Sequence, residues 1–180
     1  LVWNRYKNQL CHKHERGTVP LIWAESVSAD GTFTFRAARR NHAPYFAPKK
    51  GEDDWLLVSR PCVLLQRTTA KEQARRLIAA ELPSTILTEH GAVTVENHLN
   101  MIVPIADNPP VETAALAAFL NSSIADQVFR CINGSVAVSA YELEAMPLPS
   151  PTVMAELAAL LKRRASRLEV EALCERLYRL

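Results

Sequence analysis

The sequence predicts an α+β protein, with a β-rich N-terminal part followed by a helical C-terminal part. Up to Pro109-Pro110 the apolar residues come in short runs rich in β-branched and aromatic members, punctuated by Gly, Pro and Asp. Beyond that point leucine, phenylalanine and alanine recur at helical spacing. With 180 residues, 48% of them hydrophobic, the chain is long enough to bury a core.

The elements follow in order. Val19 to Val27 is apolar, and strict alternation from Thr32 to Phe35 follows Asp30-Gly31, which reads as a hairpin with Gly31 at the positive φ of the turn. Trp55 to Val58 and Cys62 to Leu65 read as short strands separated by Ser59-Arg60-Pro61. Ala74, Leu77 and Ile78 predict a helix over 71–80, ending before Pro83. Weak alternation from Thr85 to Val95 and the apolar run Leu99 to Ile105 predict further strands. Glu112 to Phe129 carries Leu116, Phe119, Leu120, Ile124 and Val128, the pattern of one amphipathic helix or of two broken at Asn121-Ser122-Ser123. Asn133-Gly134 is a turn signal before the run Val136-Ala137-Val138. Met146 to Pro151 is expected to be an extended connector, and Thr152 to Leu180 one long helical segment with leucines at near-heptad spacing.

A formal net charge of +2 does not by itself argue for nucleic acid, but the 21 Lys and Arg are clustered. Arg36, Arg39, Arg40, Lys49 and Lys50 form one group, Arg67 to Arg76 a second, and Lys162, Arg163, Arg164 and Arg167 a third. The second is the most informative. There an apolar run stops at Arg67, Thr68 and Thr69, with Lys71, Arg75 and Arg76 beyond, a concentration of donors suited to phosphates and base edges. The third is the pattern of a solvent-facing helix stripe. Cys11, Cys62, Cys131 and Cys174 lack CxxC spacing, which fits a reduced, cytoplasmic protein. No apolar segment is long enough to span a bilayer, so no membrane partner is expected. The start at Leu1 is read as that of an excised piece of a longer chain.

Several constellations could carry chemistry. Asp107-Asn108-Pro109-Pro110 contains the Asn-Pro-Pro used by methyltransferases acting on exocyclic amines, yet Val111 stands where an aromatic ring would stack on the base. Nor does a Gly-rich loop follow a strand to bind S-adenosylmethionine. Cys11-His12-Lys13-His14 has metal-ligand types without finger spacing. Glu52, Asp53 and Asp54 beside Lys49 and Lys50 imitate a nuclease site only crudely. Neither a catalytic set nor a metal site is assigned. Glu96-Asn97-His98 follows Val93 and Val95, and at a strand end Asn97 matches adenine's paired donor and acceptor. A hydrogen-bonded structural turn explains the same residues.

In order along the chain, Leu1-Val2-Trp3-Asn4-Arg5, Gln66-Arg67-Thr68-Thr69-Ala70-Lys71-Glu72-Gln73, Glu96-Asn97-His98, Leu120-Asn121-Ser122, and Asn133-Gly134-Ser135 through Tyr141-Glu142-Leu143 to Pro147-Leu148-Pro149 form a set. Together they resemble the C-terminal target recognition domain of Taq-type adenine-specific DNA methyltransferases, enzymes of type II restriction-modification systems. The closing segments are also similar to recognition domains of type I specificity subunits. The resemblance implies a recognition domain over 1–150 with a helical extension over 151–180, a double-stranded DNA partner, and a preceding methyltransferase domain of the same parent chain that holds S-adenosylmethionine and the catalytic motif. The fragment is then expected not to methylate DNA alone. Divergent methyltransferase and nuclease readings stand as the alternatives. Under the recognition reading, Arg67 contacts phosphate or a guanine edge, Thr68 and Thr69 contact phosphates, and Lys71, Arg75 and Arg76 supply backbone electrostatics. Asn97 and His98 read bases, and Arg39 and Arg40 lie on a groove-entering loop anchored by Tyr45 and Phe46.

Overall fold

The computed structural model describes residues 1–69 and 73–177. It is an α+β fold. Eight strands, β1 (Leu10–Cys11), β2 (Val19–Ile22), β3 (Tyr45–Phe46), β4 (Leu57–Val58), β5 (Val63–Gln66), β6 (Ala79–Glu81), β7 (Val93–Val95) and β8 (Leu99–Ile102), occupy the first part of the described chain. One helix, α1 (Ser84–His90), lies among them, and α2 (Thr113–Leu120), α3 (Ser123–Ile132), α4 (Ala140–Glu144), α5 (Pro151–Lys162) and α6 (Arg167–Leu177) follow. The strands make a five-stranded sheet ordered β1-β3-β2-β7-β4 and a three-stranded sheet ordered β6-β5-β8. Pairing is antiparallel throughout except between β2 and β7, which run parallel with Leu21 opposite Thr94.

Alternation of side chains stacks these sheets in layers. Along β5 and β6, Val63, Leu65 and Ala79 point into a core shared with the C-terminal helices, whereas Leu64 and Ala80 point into a second core between the sheets. Ile22, Val93 and Val95 reach that second core from the five-stranded sheet, while Val19, Leu21 and Trp23 face a third, closed by Phe46 and Leu56. A strand buried on both faces shows no polar alternation. This is why the segment predicted as a helix over 71–80 is not one. Ala70, Lys71 and Glu72 lie outside the described residues; Gln73 to Ile78 is irregular and Ala79–Glu81 is a strand. Leu77 and Ile78 sit on opposite faces of that extended path, one in each core.

Other expectations were met in part. The Asp30-Gly31 turn forms, with Gly31 at φ +84 and a single Val27–Phe33 bridge, but Val19–Ile22 pairs with β3 and β7 rather than with Thr32 to Phe35. Trp55 belongs to a 3-10 turn over Asp54–Leu56, leaving only Leu57–Val58 extended. Within Thr85 to Val95 the first half is helical: Ile86 and Leu87 are buried, and Gly91, at φ +76, ends α1 by donating to the Leu87 carbonyl at 2.8 Å. Ser122 splits the next helical stretch, its hydroxyl accepting from the Ala125 N–H to cap α3.

The long C-terminal helix is two. Ala165 N–H donates to the Leu160 carbonyl at 3.2 Å and Arg164 N–H to Leu161 at 2.9 Å, the paired bonds of a Schellman stop, with Arg164 left-handed at φ 56. Arginine there gives no sequence warning of a helix end. The chain folds back, α5 packing on α2 and α6 on α3. Met154, Leu157, Leu173 and Cys174 thereby enter the same core as Val63 and Phe119.

Candidate nucleic-acid interface

Strands β2 and β7 run side by side in one direction, so Trp23 and Glu96, the residues that follow them, emerge together. Glu96 N–H donates to the Ile22 carbonyl at 3.0 Å. The end of β5 reaches the same place because Arg67 N–H donates to the His98 carbonyl at 2.8 Å. Around these three strand ends opens a cleft of about 360 Å³ lined by residues including Trp3, Glu25, Arg39, Gln66, Thr68 and His98. Segments separated by dozens of residues thus share one site.

Glu96 organises part of the rim. It is 1% exposed, and its carboxylate accepts from the His98 backbone N–H at 2.9 Å, stands 2.7 Å from His98 Nδ1, and takes the Asn97 amide nitrogen at 2.6 Å once that amide is turned to the orientation its neighbours satisfy. A buried carboxylate needs such donors, and here they come from the two residues expected to read bases. Engagement at Nδ1 leaves His98 Nε2 as the polar atom at the outer edge of an exposed ring.

A second carboxylate lines the same cleft. Glu25 Oε1 lies 2.7 Å from His42 Nδ1 and accepts from the Ala38 N–H at 2.9 Å, tying down the loop that carries Arg39 and Arg40. Burial alone would raise the Glu25 carboxyl; the His42 hydrogen bond and the backbone donors of Ala38 and Arg39 outweigh it, and the net shift is downward. The His42 ring stacks on Trp23, 3.7 Å between centroids and 7° between planes, and Trp23 Nε1 donates to the Ala43 carbonyl at 2.8 Å. Arg39 and Arg40 are exposed at the tip, Arg39 lining the cleft.

The basic and hydroxyl residues beyond β5 divide by environment. Arg67 and Thr68 are exposed, and the Arg67 guanidinium makes no hydrogen bond to a described residue. Backbone bonds hold the arginine from both sides, since its carbonyl accepts from Val138 N–H at 2.8 Å. Thr69 instead is 2% exposed, and its hydroxyl donates to the Val136 carbonyl at 3.3 Å. Arg75 turns inward, its guanidinium donating to the carbonyls of Asn121 and Ala29; burial, then the neighbouring Arg167, lower its pKa. Arg76 donates through its side chain to Thr69 Oγ1 at 3.3 Å and through its backbone to Asp126. Thr69, Arg75 and Arg76 therefore hold the loop in shape, and Lys71 lies outside the described residues. Val136 to Val138 serves as a strut, with Ala137 bridged to Thr68 and the Asn100 amide donating to the Val138 carbonyl at 2.7 Å.

Glu25 and Trp23 were not singled out by sequence reasoning, and Gln66 and His42 stood out only as members of longer polar segments, with no role of their own. Their signal is weak, because a tryptophan ending one strand and a histidine nineteen residues on meet only through the loop between them. The remaining motifs stay apart from chemistry. Asp53 is buried and accepts from Gln9 Nε2 at 2.6 Å and Lys49 N–H at 2.8 Å, so the acidic cluster is a loop brace. Asp107 pairs with Arg60 at 3.1 Å on an exposed loop before α2. Among the described residues no group of three or more His, Cys, Asp or Glu could hold a metal, and no helix is long and apolar enough to cross a membrane.

No family model matches the chain. It is similar to Type II methyltransferase M.BsuBI of Bacillus subtilis, with 28% identity over 154 residues, and to Type II methyltransferase M.PstI of Providencia stuartii, with 32% identity over 158 residues. The matches cover 85% and 86% of this chain but 30% of each relative. The chain is thus related to a segment of Type II methyltransferases and spans under a third of their length.

Proposed function

We propose that this chain is the target recognition module of an adenine-N6 DNA methyltransferase in a restriction-modification system. It binds double-stranded DNA sequence-specifically and positions the target adenine for a methyltransferase domain of the same parent chain. The observation that carries this reading is the meeting of Arg39, Arg67, Thr68, Asn97 and His98 around three strand ends, with Arg67 fixed through its backbone and His98 through Glu96 while Arg39, Arg67, Thr68 and His98 are exposed. Preorganised donors of this kind give base discrimination and phosphate register with little ordering cost. Similarity to Type II methyltransferases supplies the enzyme class. The type I specificity-subunit reading lacks such support from the relatives.

No residue of this chain is assigned to S-adenosylmethionine. The methyl donor belongs to the partner domain.

Selection of duplexes from a randomised pool by the purified chain tests the reading. Enrichment of a common sequence, with affinity falling steeply as salt rises, supports it. Recovery of random sequence overturns it, and tight binding of S-adenosylmethionine by the chain alone would favour the catalytic alternative.

A further inference from the structure

Whether His98 accepts or donates a hydrogen bond is decided by Glu96. The residues joining β7 to β8 form a tight turn, in which Leu99 N–H donates to the Glu96 carbonyl at 3.1 Å and Arg67 N–H donates to the His98 carbonyl at 2.8 Å. From this braced backbone the imidazole stands at the cleft rim with 59% of its side chain exposed. Its Nδ1 lies 2.8 Å and 2.7 Å from the two Glu96 oxygens. A carboxylate has no proton to give, so Nδ1 carries the hydrogen. In the neutral ring Nε2 is then a bare acceptor, and no described residue bonds to it. Asn97 commits its donors to the same turn. In the orientation its neighbours satisfy, its amide nitrogen reaches Glu96 at 2.6 Å and the Leu1 carbonyl at 3.3 Å, which occupies both hydrogens. The paired donor and acceptor that would suit adenine is therefore not on offer, and these two side chains have only acceptors to give. Such an edge is selective on a paired duplex. The ring N–H groups of thymine and guanine are engaged in base pairing, so in the major groove those bases show acceptors, and the donors are adenine N6 and cytosine N4; in the minor groove the donor is guanine N2.

We propose that His98 is a specificity-determining residue that takes the exocyclic amine of one paired base on Nε2, and that Glu96 is the positioning residue that holds the ring in the tautomer this requires. The inference rests on the DNA-recognition reading and adds which sense of hydrogen bond is read and what fixes it. A base without the amine sets a lone pair against a lone pair, and the braced turn leaves the ring little room to relieve it.

The test starts from the duplex that the purified chain selects from a randomised pool. Its amines are removed one at a time, with purine for adenine, 2-pyrimidinone for cytosine and hypoxanthine for guanine, and affinity is read by fluorescence anisotropy at about pH 8.5, where imidazoles are ordinarily neutral. Removal of one particular amine is expected to weaken wild-type binding about tenfold. Purine or pyrimidinone at that position places the contact in the major groove, and hypoxanthine places it in the minor. In His98→Ala, or in His98→Phe, which keeps a ring without its nitrogens, the same removal is expected to change affinity less than about twofold. Glu96→Gln can donate to Nδ1 as well as accept from it, so the amine-to-no-amine affinity ratio is expected to fall to about threefold. A merely structural Glu96 would weaken both duplexes alike and leave that ratio unchanged, which overturns its positioning role. If no amine removal produces a loss that depends on His98, or if 7-deaza substitution at a purine does so instead, His98 does not read an amine and the inference is overturned while DNA recognition stands. Selection of no sequence at all overturns both.

Discussion

Glu96, 1% exposed at the end of β7, holds the exposed His98 by two bonds, 2.9 Å to its backbone N–H and 2.7 Å to its ring Nδ1. A buried charge here fixes the aim of an exposed side chain two residues away. Removing it leaves His98 and Asn97 without their acceptor. Glu96→Ala is expected to cost about 1–3 kcal/mol of stability in chemical denaturation, and to lower DNA affinity. Glu96→Gln, which keeps a carbonyl acceptor, is expected to recover part of both. Duplex affinity unchanged in the folded alanine variant would show that His98 is aimed by something else.

Arg67 presents the opposite case, a fixed backbone under an exposed guanidinium. Arg67→Ala is expected to change stability by less than about 0.5 kcal/mol. Its DNA affinity should fall by about 1–3 kcal/mol if the guanidinium reads a guanine edge, or, if it meets a phosphate, the salt dependence should shallow by roughly one unit. Anisotropy titrations at several salt concentrations separate these outcomes. Unaltered affinity in a folded variant removes Arg67 from the interface.

Stability should depend on acid through Glu25. Its folded-state carboxyl lies below the ordinary value of 4.5 because His42 and the Ala38 and Arg39 N–H groups outweigh its burial. A depressed pKa means a contribution fully present above the unfolded value and lost as pH falls through the folded one. Thermal melts from neutral pH to below 4.5 should therefore show wild type losing stability that Glu25→Gln does not lose. Parallel curves would remove Glu25 from the account.

At the α5–α6 turn Arg164 occupies a left-handed position, φ 56, where a side chain is strained. Arg164→Gly should stabilise the protein by roughly 0.5–1 kcal/mol despite glycine's greater unfolded-state entropy. A higher melting temperature checks it; a lower one means the arginine makes compensating contacts.

Leu157 is fully buried in a core that also holds Val63 and Phe119. Leu157→Ala is expected to destabilise by about 2–5 kcal/mol, with one transition seen alike by tryptophan fluorescence and far-ultraviolet circular dichroism. Two separate transitions would mean that the 151–180 extension folds apart from the rest.

Sequence pattern disclosed those elements whose signals are local. Ser122 after Asn121 marked the break between α2 and α3, Asp30-Gly31 marked a turn, and the change of periodicity near Pro109-Pro110 marked the passage from strands to helices. Arg67, Thr68 and Glu96-Asn97-His98 stood out because polar groups follow apolar strands abruptly. It misled where burial is two-sided or a stop lacks its usual residue. Leu77 to Ala80 faces two cores, so its apolar run imitates a helix, and Arg164 hides a helix end that glycine would have announced.

By itself, then, the sequence determined the α+β class and the chemistry of the polar segments, since propensity, turn formation and donor type act within a few residues. Only the tertiary structure decided which of those segments meet. The parallel register of β2 and β7 brings Trp23 beside Glu96, and the Arg67–His98 backbone bond adds the end of β5. Those contacts join residues far apart in the chain and depend on layer stacking, in which each strand's position is fixed by side chains on both its faces. The same stacking turned Thr69, Arg75 and Arg76 inward and left Arg67 and Thr68 facing out.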